Sequence, residues 1–168
     1  MSLKISDSLY TSDKESKYRE AYTIIDSILK EEVDLICNMA NISALLKELF
    51  SFLWVGFYRV VGKELVLGPF QGPLACSRIA FGKGVCGTAW LENKTLIVPD
   101  VEEFPGHIAC SSRSRSEIVI PLVHENQVWG VLDIDSQEYD AFDSIDRNYL
   151  EKMAALLNNP DFAGISES

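Results

Sequence analysis

The order of hydrophobic periodicities along this 168-residue chain predicts an α+β fold, an antiparallel sheet with helices on one face and the other face left for loops and a ligand. Helical spacing of apolar residues is confined to the two ends and one short internal stretch. Runs rich in aromatic and β-branched residues, with side chains alternating between two faces, fill the middle. The runs at Phe52–Val61 and Ile118–Ile134 fold back through short turns, as antiparallel neighbours do.

Composition narrows the class. The chain is 47% hydrophobic and 24% charged, ordinary for one globular domain with a real core. A net charge of −10, from 15 basic and 25 acidic side chains, argues against nucleic acid or an anionic membrane as partner. No apolar run approaches the roughly 18 residues that span a bilayer. The start, Met1–Asp7, lacks the basic and apolar regions of a signal peptide, so a cytoplasmic location is expected. There, four cysteines are expected to be reduced, catalytic or metal-bound, and no Cys-x-x-Cys pair is present. One domain is expected over residues 14–158, between tails at 1–13 and 159–168.

In chain order, residues 14–30 read as an amphipathic helix through Tyr18, Tyr22, Ile25 and Leu29. A second helix follows, with Ile36, Met39, Leu45, Leu46 and Leu49 on one stripe and Cys37 as a small buried hydrophobe. Phe52–Val61 is a strand, Val61–Lys63 a turn and Glu64–Leu67 the partner strand. Trp54, Gly56 and Tyr58 share one face; Leu53, Val55 and Phe57 share the other. The aromatic face suits a core or the wall of a pocket, and core is the simpler reading. Gly68–Cys76 is dense in chain-bending residues. Gly82-Lys83-Gly84-Val85-Cys86-Gly87 fits the dinucleotide pattern Gly-x-Gly-x-x-Gly, but no βαβ unit surrounds it. What remains is a short helix, Gly84–Glu92, whose leading N–H groups suit a carboxylate or other anion. Thr95–Val98 is a short strand. Asp143 caps the last helix, with Ile145, Tyr149, Met153 and Leu156 as its buried stripe and Asn158-Asn159-Pro160 as its end.

The two apolar segments around His124–Gln127 form a hairpin whose register can be argued. An odd loop puts Ile118, Ile120 and Leu122 on one face with Gly130, Leu132 and Ile134. An even loop would set those aliphatics beside Asp133 and Asp135, so the odd loop is expected. Glu117, Val119, Pro121 and Val123 then share the opposite face with Trp129, Val131, Asp133 and Asp135. Glu117 stands opposite Asp135, and Val119 opposite Asp133. Opposed like charges are destabilising. A bound cation, a held proton or access to water must offset them; the plain alternative is a solvated strand end.

The long connection before this strand, Phe104–Glu117, holds Cys110 beside Arg113 and Arg115. Cationic neighbours raise the thiolate fraction of a cysteine. Cys76, Cys86 and Cys110 all lie in loops or at a helix start. Thiol, partner thiol and a carboxyl that keeps its proton together suit removal of an S=O or peroxide oxygen, through a sulfenic acid and then a disulfide that an external dithiol resets.

Seven blocks carry a resemblance: Trp54–Tyr58 (WVGFY), Leu67–Gly72 (LGPFQG), Ala75-Cys76, Phe81–Thr88 (FGKGVCGT), Phe104–Cys110 (FPGHIAC), Ser116–Val119 (SEIV) and Gly130–Ser136 (GVLDIDS). In this order they resemble the free methionine-(R)-sulfoxide reductases, small single-domain GAF proteins, over about residues 15–157. The resemblance implies a GAF fold with a six-stranded antiparallel sheet, N- and C-terminal helices on one face and the active site on the other. It implies reduction of the free amino acid, regeneration by thioredoxin (with NADPH and thioredoxin reductase), no bound cofactor or metal, and a homodimer. By position, Cys110 matches the cysteine that becomes sulfenic acid, Cys76 its resolving partner and Cys86 a third cysteine of less direct role. Glu117, Asp133 and Asp135 match the acidic residues that hold the substrate ammonium and assist at the sulfoxide oxygen. Trp54 and Tyr58 match the aromatic wall around the S-methyl group. Ser111, where many relatives have Asp, Arg113 and Trp90 depart from the pattern at the pocket rim.

Clustered carboxylates want a cation, and a free amino acid brings an ammonium that a peptide-bound residue lacks. The rivals are a non-catalytic GAF sensor of a small ligand, which leaves three loop cysteines unexplained, and a zinc site of Cys76, Cys86, Cys110 and His107. The wide spacings of that set lack the close cysteine pairs typical of zinc.

Overall fold

The computed structural model describes residues 5–107 and 112–157. Cys110, Ser111 and the tail 159–168 with the helix end at 158–160 therefore lie outside the described residues. Six strands form one antiparallel sheet: β1 (Trp54–Val61), β2 (Glu64–Gln71), β3 (Arg78–Ala80), β4 (Leu96–Val98), β5 (Ser116–His124) and β6 (Gln127–Ser136), in the order β3-β2-β1-β6-β5-β4. Helices α1 (Lys14–Glu31), α2 (Leu35–Phe50) and α4 (Ser144–Leu156) cover one face, while α3 (Gly84–Glu92) lies against β5 and β6 on the other.

The face under the terminal helices is the larger core. Val55, Phe57, Ile118, Ile120, Leu122, Leu132 and Ile134 meet Tyr18, Ile25, Met39, Ile42 and Leu46 there, all buried. Burial of each large aliphatic contributes about 1.5–3 kcal/mol relative to exposure. The helix starts are capped as their sequences dictate. Asp13 and Asp34 accept from the backbone N–H of Ser16 and Cys37, and Asp143 forms a capping box with Asp146. Asp146 is itself fully buried, accepting from the Tyr18 hydroxyl at 2.7 Å and from Lys14 at 2.6 Å, which ties α4 to the start of α1. Asp7–Thr11 forms a 3-10 turn that seats Leu9 in the core.

Several expectations are corrected. Ile36 and Cys37 face solvent; the buried line of α2 runs Leu35, Met39, Ile42, Leu46 and Leu49, and Ile36 lies one residue, about 100°, off it. The buried apolar residues of α4 are Leu150, Met153 and Ala154, with Ile145, Tyr149 and Leu156 only flanking them. Leu53 belongs with Trp54 and Tyr58, because β1 begins only at Trp54. Strand β2 continues through Pro69 to Gln71, past the expected end at Leu67, and β3, only three residues long, pairs with it to complete the six strands that the resemblance implies.

The hairpin is the most informative correction. The pairs Glu117↔Asp135 and Val119↔Asp133 are those expected, yet the turn is even, with only Glu125 and Asn126, both at positive φ, between His124 and Gln127. A β-bulge between Leu122 and Val123 supplies the odd residue. At the bulge Trp129 packs against the helix-side core, away from the carboxylates.

Candidate active site

Strand alternation delivers four acidic and aromatic groups to the face opposite the helices. β1 presents Trp54 and Tyr58, and β6 presents Asp133 and Asp135. In the ladder Trp54 pairs with Asp135 and Gly56 with Asp133. Gly56 is where the wall becomes possible: a Cβ there would strike the Trp54 indole and the Phe70 Cβ. The indole therefore lies back over the glycine, stacked on Phe70 with ring centroids 5.3 Å apart and 5.9 Å from Tyr58. β5 adds Glu117, and the first turn of α3 adds Gly84, Val85 and Cys86.

These residues line one pocket that opens to solvent. Leu74, Ala75 and Ile79 line one side, Lys83 and His107 another, and Ser114 stands beside Asp135. Trp54, Tyr58, Cys86, Glu117, Asp133 and Asp135 thus share one pocket, so the Trp54–Tyr58 face is a pocket wall as well as core. Cys76 sits half-buried in the segment between β2 and β3, in a disulfide, whereas Cys37 and Cys86 are free thiols. The Tyr58 hydroxyl donates to the Cys76 carbonyl at 3.0 Å, which ties the pocket wall to the cysteine segment. Cys110 and Ser111 lie outside the described residues. Arg113 is exposed, and Trp90, packed edge-on against Phe81 at 4.6 Å, is absent from the pocket lining.

The electrostatics follow from burial. Glu117 is 6% exposed and Asp133 also 6%, so loss of water pushes both carboxyls well above their usual range, and the Asp133 charge adds to the rise at Glu117. Asp135 is raised to about 6, chiefly by burial, against a hydrogen bond from Ser114 Oγ that favours its charged form. Burial, then the charges of Asp133 and Glu117, also push the Cys86 thiol up; it donates to Glu117 Oε1 at 3.8 Å. Cys86 is therefore held protonated, poorly suited to act as a nucleophile. The upward shifts favour the protonated forms, which eases the like-charge conflict and leaves acids suited to donate. Two buried polar atoms, Asp133 Oδ1 and Trp54 Nε1, meet no hydrogen-bond partner among the described residues. One is an acceptor suited to a cation and the other a donor, both on pocket-lining residues.

Ser114 is a pocket residue that sequence reasoning did not single out, and His107, weighed there only as a zinc ligand, lines the same pocket. Both lie in the polar connection before β5, where no periodicity marks which side chains turn inward.

An antiparallel sheet with helices on one face and a small-ligand pocket on the other defines a GAF domain, and a family profile described as "GAF domain" matches residues 26–159. The chain is 56% identical to GAF domain-containing protein A of Dictyostelium discoideum, over 87% of this chain and 93% of that protein. It is 42% identical to the free methionine-R-sulfoxide reductase of Saccharomyces cerevisiae, over 87% of this chain and 86% of that one. The crystal structure of free methionine-R-sulfoxide reductase from Neisseria meningitidis in complex with its substrate superposes with a TM-score of 0.87 at 51% identity, covering 90% of this chain and 92% of the other. The chain belongs to the GAF domain family and, within it, to the free methionine-R-sulfoxide reductases.

Proposed function

We propose that this protein reduces free L-methionine (R)-sulfoxide to L-methionine. The observation that carries the reading is the pocket itself: three carboxyls, two of them buried and held protonated, beside a Trp54–Tyr58 wall. The acids offer an amine-binding corner and a proton source, and the two rings suit an S-methyl group. The leading N–H groups of α3, with Gly84 and Val85 in the pocket lining, suit the substrate carboxylate.

In the proposed cycle the Cys110 thiolate attacks the sulfoxide while Glu117 or Asp135 protonates its oxygen. The oxygen passes to Cys110 as a sulfenic acid, and methionine leaves as the thioether. The Cys76 thiol then attacks the Cys110 sulfur, the hydroxyl leaves as water, and a Cys76–Cys110 disulfide remains. The disulfide state of Cys76, with Cys37 and Cys86 free, supports this pairing. Reduced thioredoxin, maintained by NADPH and thioredoxin reductase, returns both thiols. No bound cofactor or metal takes part. On this reading the protein is a cytoplasmic homodimer. The relatives do not favour a non-catalytic GAF sensor.

The test is NADPH consumption coupled through thioredoxin and thioredoxin reductase, on resolved R and S free methionine sulfoxide. Turnover is expected on the R form alone and is abolished in Cys110→Ser. Cys76→Ser completes one oxidation equivalent and stalls; sustained cycling in that variant would transfer the resolving role to Cys86.

A further inference from the structure

We propose that Cys86, Glu117 and Asp133 form a site for a thiophilic divalent cation, zinc or cadmium, held in competition with an ammonium-bearing ligand. The exchange between Cys110 and Cys76 leaves Cys86 unused, although it is a free thiol in the pocket lining. One ligand atom from each of Cys86, Glu117 and Asp133 lies within 4.8 Å of the other two. The Cys86 Sγ to Glu117 Oε1 separation is 3.8 Å. Around a zinc ion with metal–sulfur and metal–oxygen bonds of about 2.3 and 2.0 Å, the tetrahedral edge is about 3.5 Å. The donors therefore lie within about 1.3 Å of that spacing.

A second observation points to a ligand. Asp133 is more than nine-tenths buried and lines the pocket, and its Oδ1 has no hydrogen-bond partner among the described residues. A buried acceptor left in this way is stabilised by a cation placed against it. The donors stand on α3, β5 and β6, so they are held by regular structure. One thiolate and two carboxylates with an open fourth position suit zinc or cadmium; calcium and magnesium take six or more oxygens. The site differs from a set of Cys76, Cys86, Cys110 and His107, because Cys76 in its disulfide has no thiolate to give. Binding displaces the protons of the Cys86 thiol and of the two carboxyls. The open coordination position faces the pocket that the substrate enters, and this competitive part alone rests on the proposed function.

The test is a titration of the disulfide form with cadmium, followed by the ultraviolet thiolate-to-metal charge-transfer band. No turnover occurs without a reductant, so the outcome is independent of the reductase assay. One equivalent per chain is expected in the wild type and in Cys37→Ser, with the band lost in Cys86→Ser. Asp133→Asn weakens binding at least about tenfold, as does Glu117→Gln, and both serve if Cys86→Ser fails to fold. Saturating free methionine (R)-sulfoxide displaces the metal. Absence of the band, its persistence in Cys86→Ser, or an affinity unchanged in Asp133→Asn overturns the site. Binding that survives saturating substrate overturns the competition.

Discussion

Glu117 on β5 and Asp135 on β6 occupy a single cross-strand position, two carboxyls directly opposed, with Asp133 two residues along on the same face. On an exposed sheet water would separate such charges. Here burial favours the protonated forms, and each proton held weakens the repulsion.

The first consequence is a pH dependence of stability. Asp135 rises from 3.8 to about 6 on folding, so between these values the folded state holds a proton that the unfolded chain gives up. Stability from this group is complete below about pH 4 and is lost as pH rises through about 6, by an amount on the order of 3 kcal/mol. Glu117 and Asp133 shift in the same direction and extend the decline to higher pH. Urea denaturation across pH 4 to 8 checks this, and Asp135→Asn is expected to flatten the lower part of the curve.

The second concerns discrimination. If the acids hold an ammonium, Asp133→Asn removes a charge-assisted contact of about 1.5–3 kcal/mol and raises KM for the free amino acid roughly ten- to a hundredfold. N-acetylated methionine sulfoxide, a poor substrate throughout, changes little. Glu117→Gln instead lowers kcat by about a hundredfold or more, the range of a lost general acid. Steady-state kinetics of both variants on both substrates separate the two roles.

The third uses the tether from Tyr58 to the Cys76 carbonyl. Tyr58→Phe keeps the aromatic wall and removes a hydrogen bond with a net contribution of about 0.5–1.5 kcal/mol. Disulfide formation is expected to slow while KM stays within about twofold. Trapping of the sulfenic acid after a single turnover measures the change, and unaltered trapping kinetics would leave Tyr58 as a wall residue alone.

The fourth concerns Gly56. A methyl group there meets the Trp54 ring and the Phe70 Cβ, so Gly56→Ala pushes the indole out of its seat. Overpacking of this kind costs about 1–3 kcal/mol. Lower stability and weaker substrate binding are expected together, read by thermal unfolding and by quenching of tryptophan fluorescence on ligand addition.

Periodicity carried much of this architecture. Alternation along β5 and β6 placed Glu117, Asp133 and Asp135 on one face, because the side-chain period of a strand leaves no other way to bury Ile118, Ile120, Leu122, Leu132 and Ile134 together. That constraint fixes the register even though the turn is even and not the odd one that strict alternation predicts. The register is held by burial, and the bulge is the local adjustment that lets a two-residue turn accommodate it. The helix from Gly84 to Glu92 and the cap at Asp143 were legible for the same reason: their signals are local.

What remained hidden depends on neighbours distant in sequence. Ile36 and Cys37 are as apolar as Leu35 and Met39, and only the packing of α2 on the sheet decides which of them meets solvent. Three residues at Arg78–Ala80 become a strand because β2 offers an unpaired edge, a partner that no short window of sequence contains. Ser114 and His107 reach the pocket through an irregular connection with no period to read. The kinds of chemistry available were written in the order of residues, since alternation and capping act over a few positions. Their convergence around one cavity, and the protonation that lets three acids coexist there, arise from burial, which exists only once the sheet and α3 have closed over them.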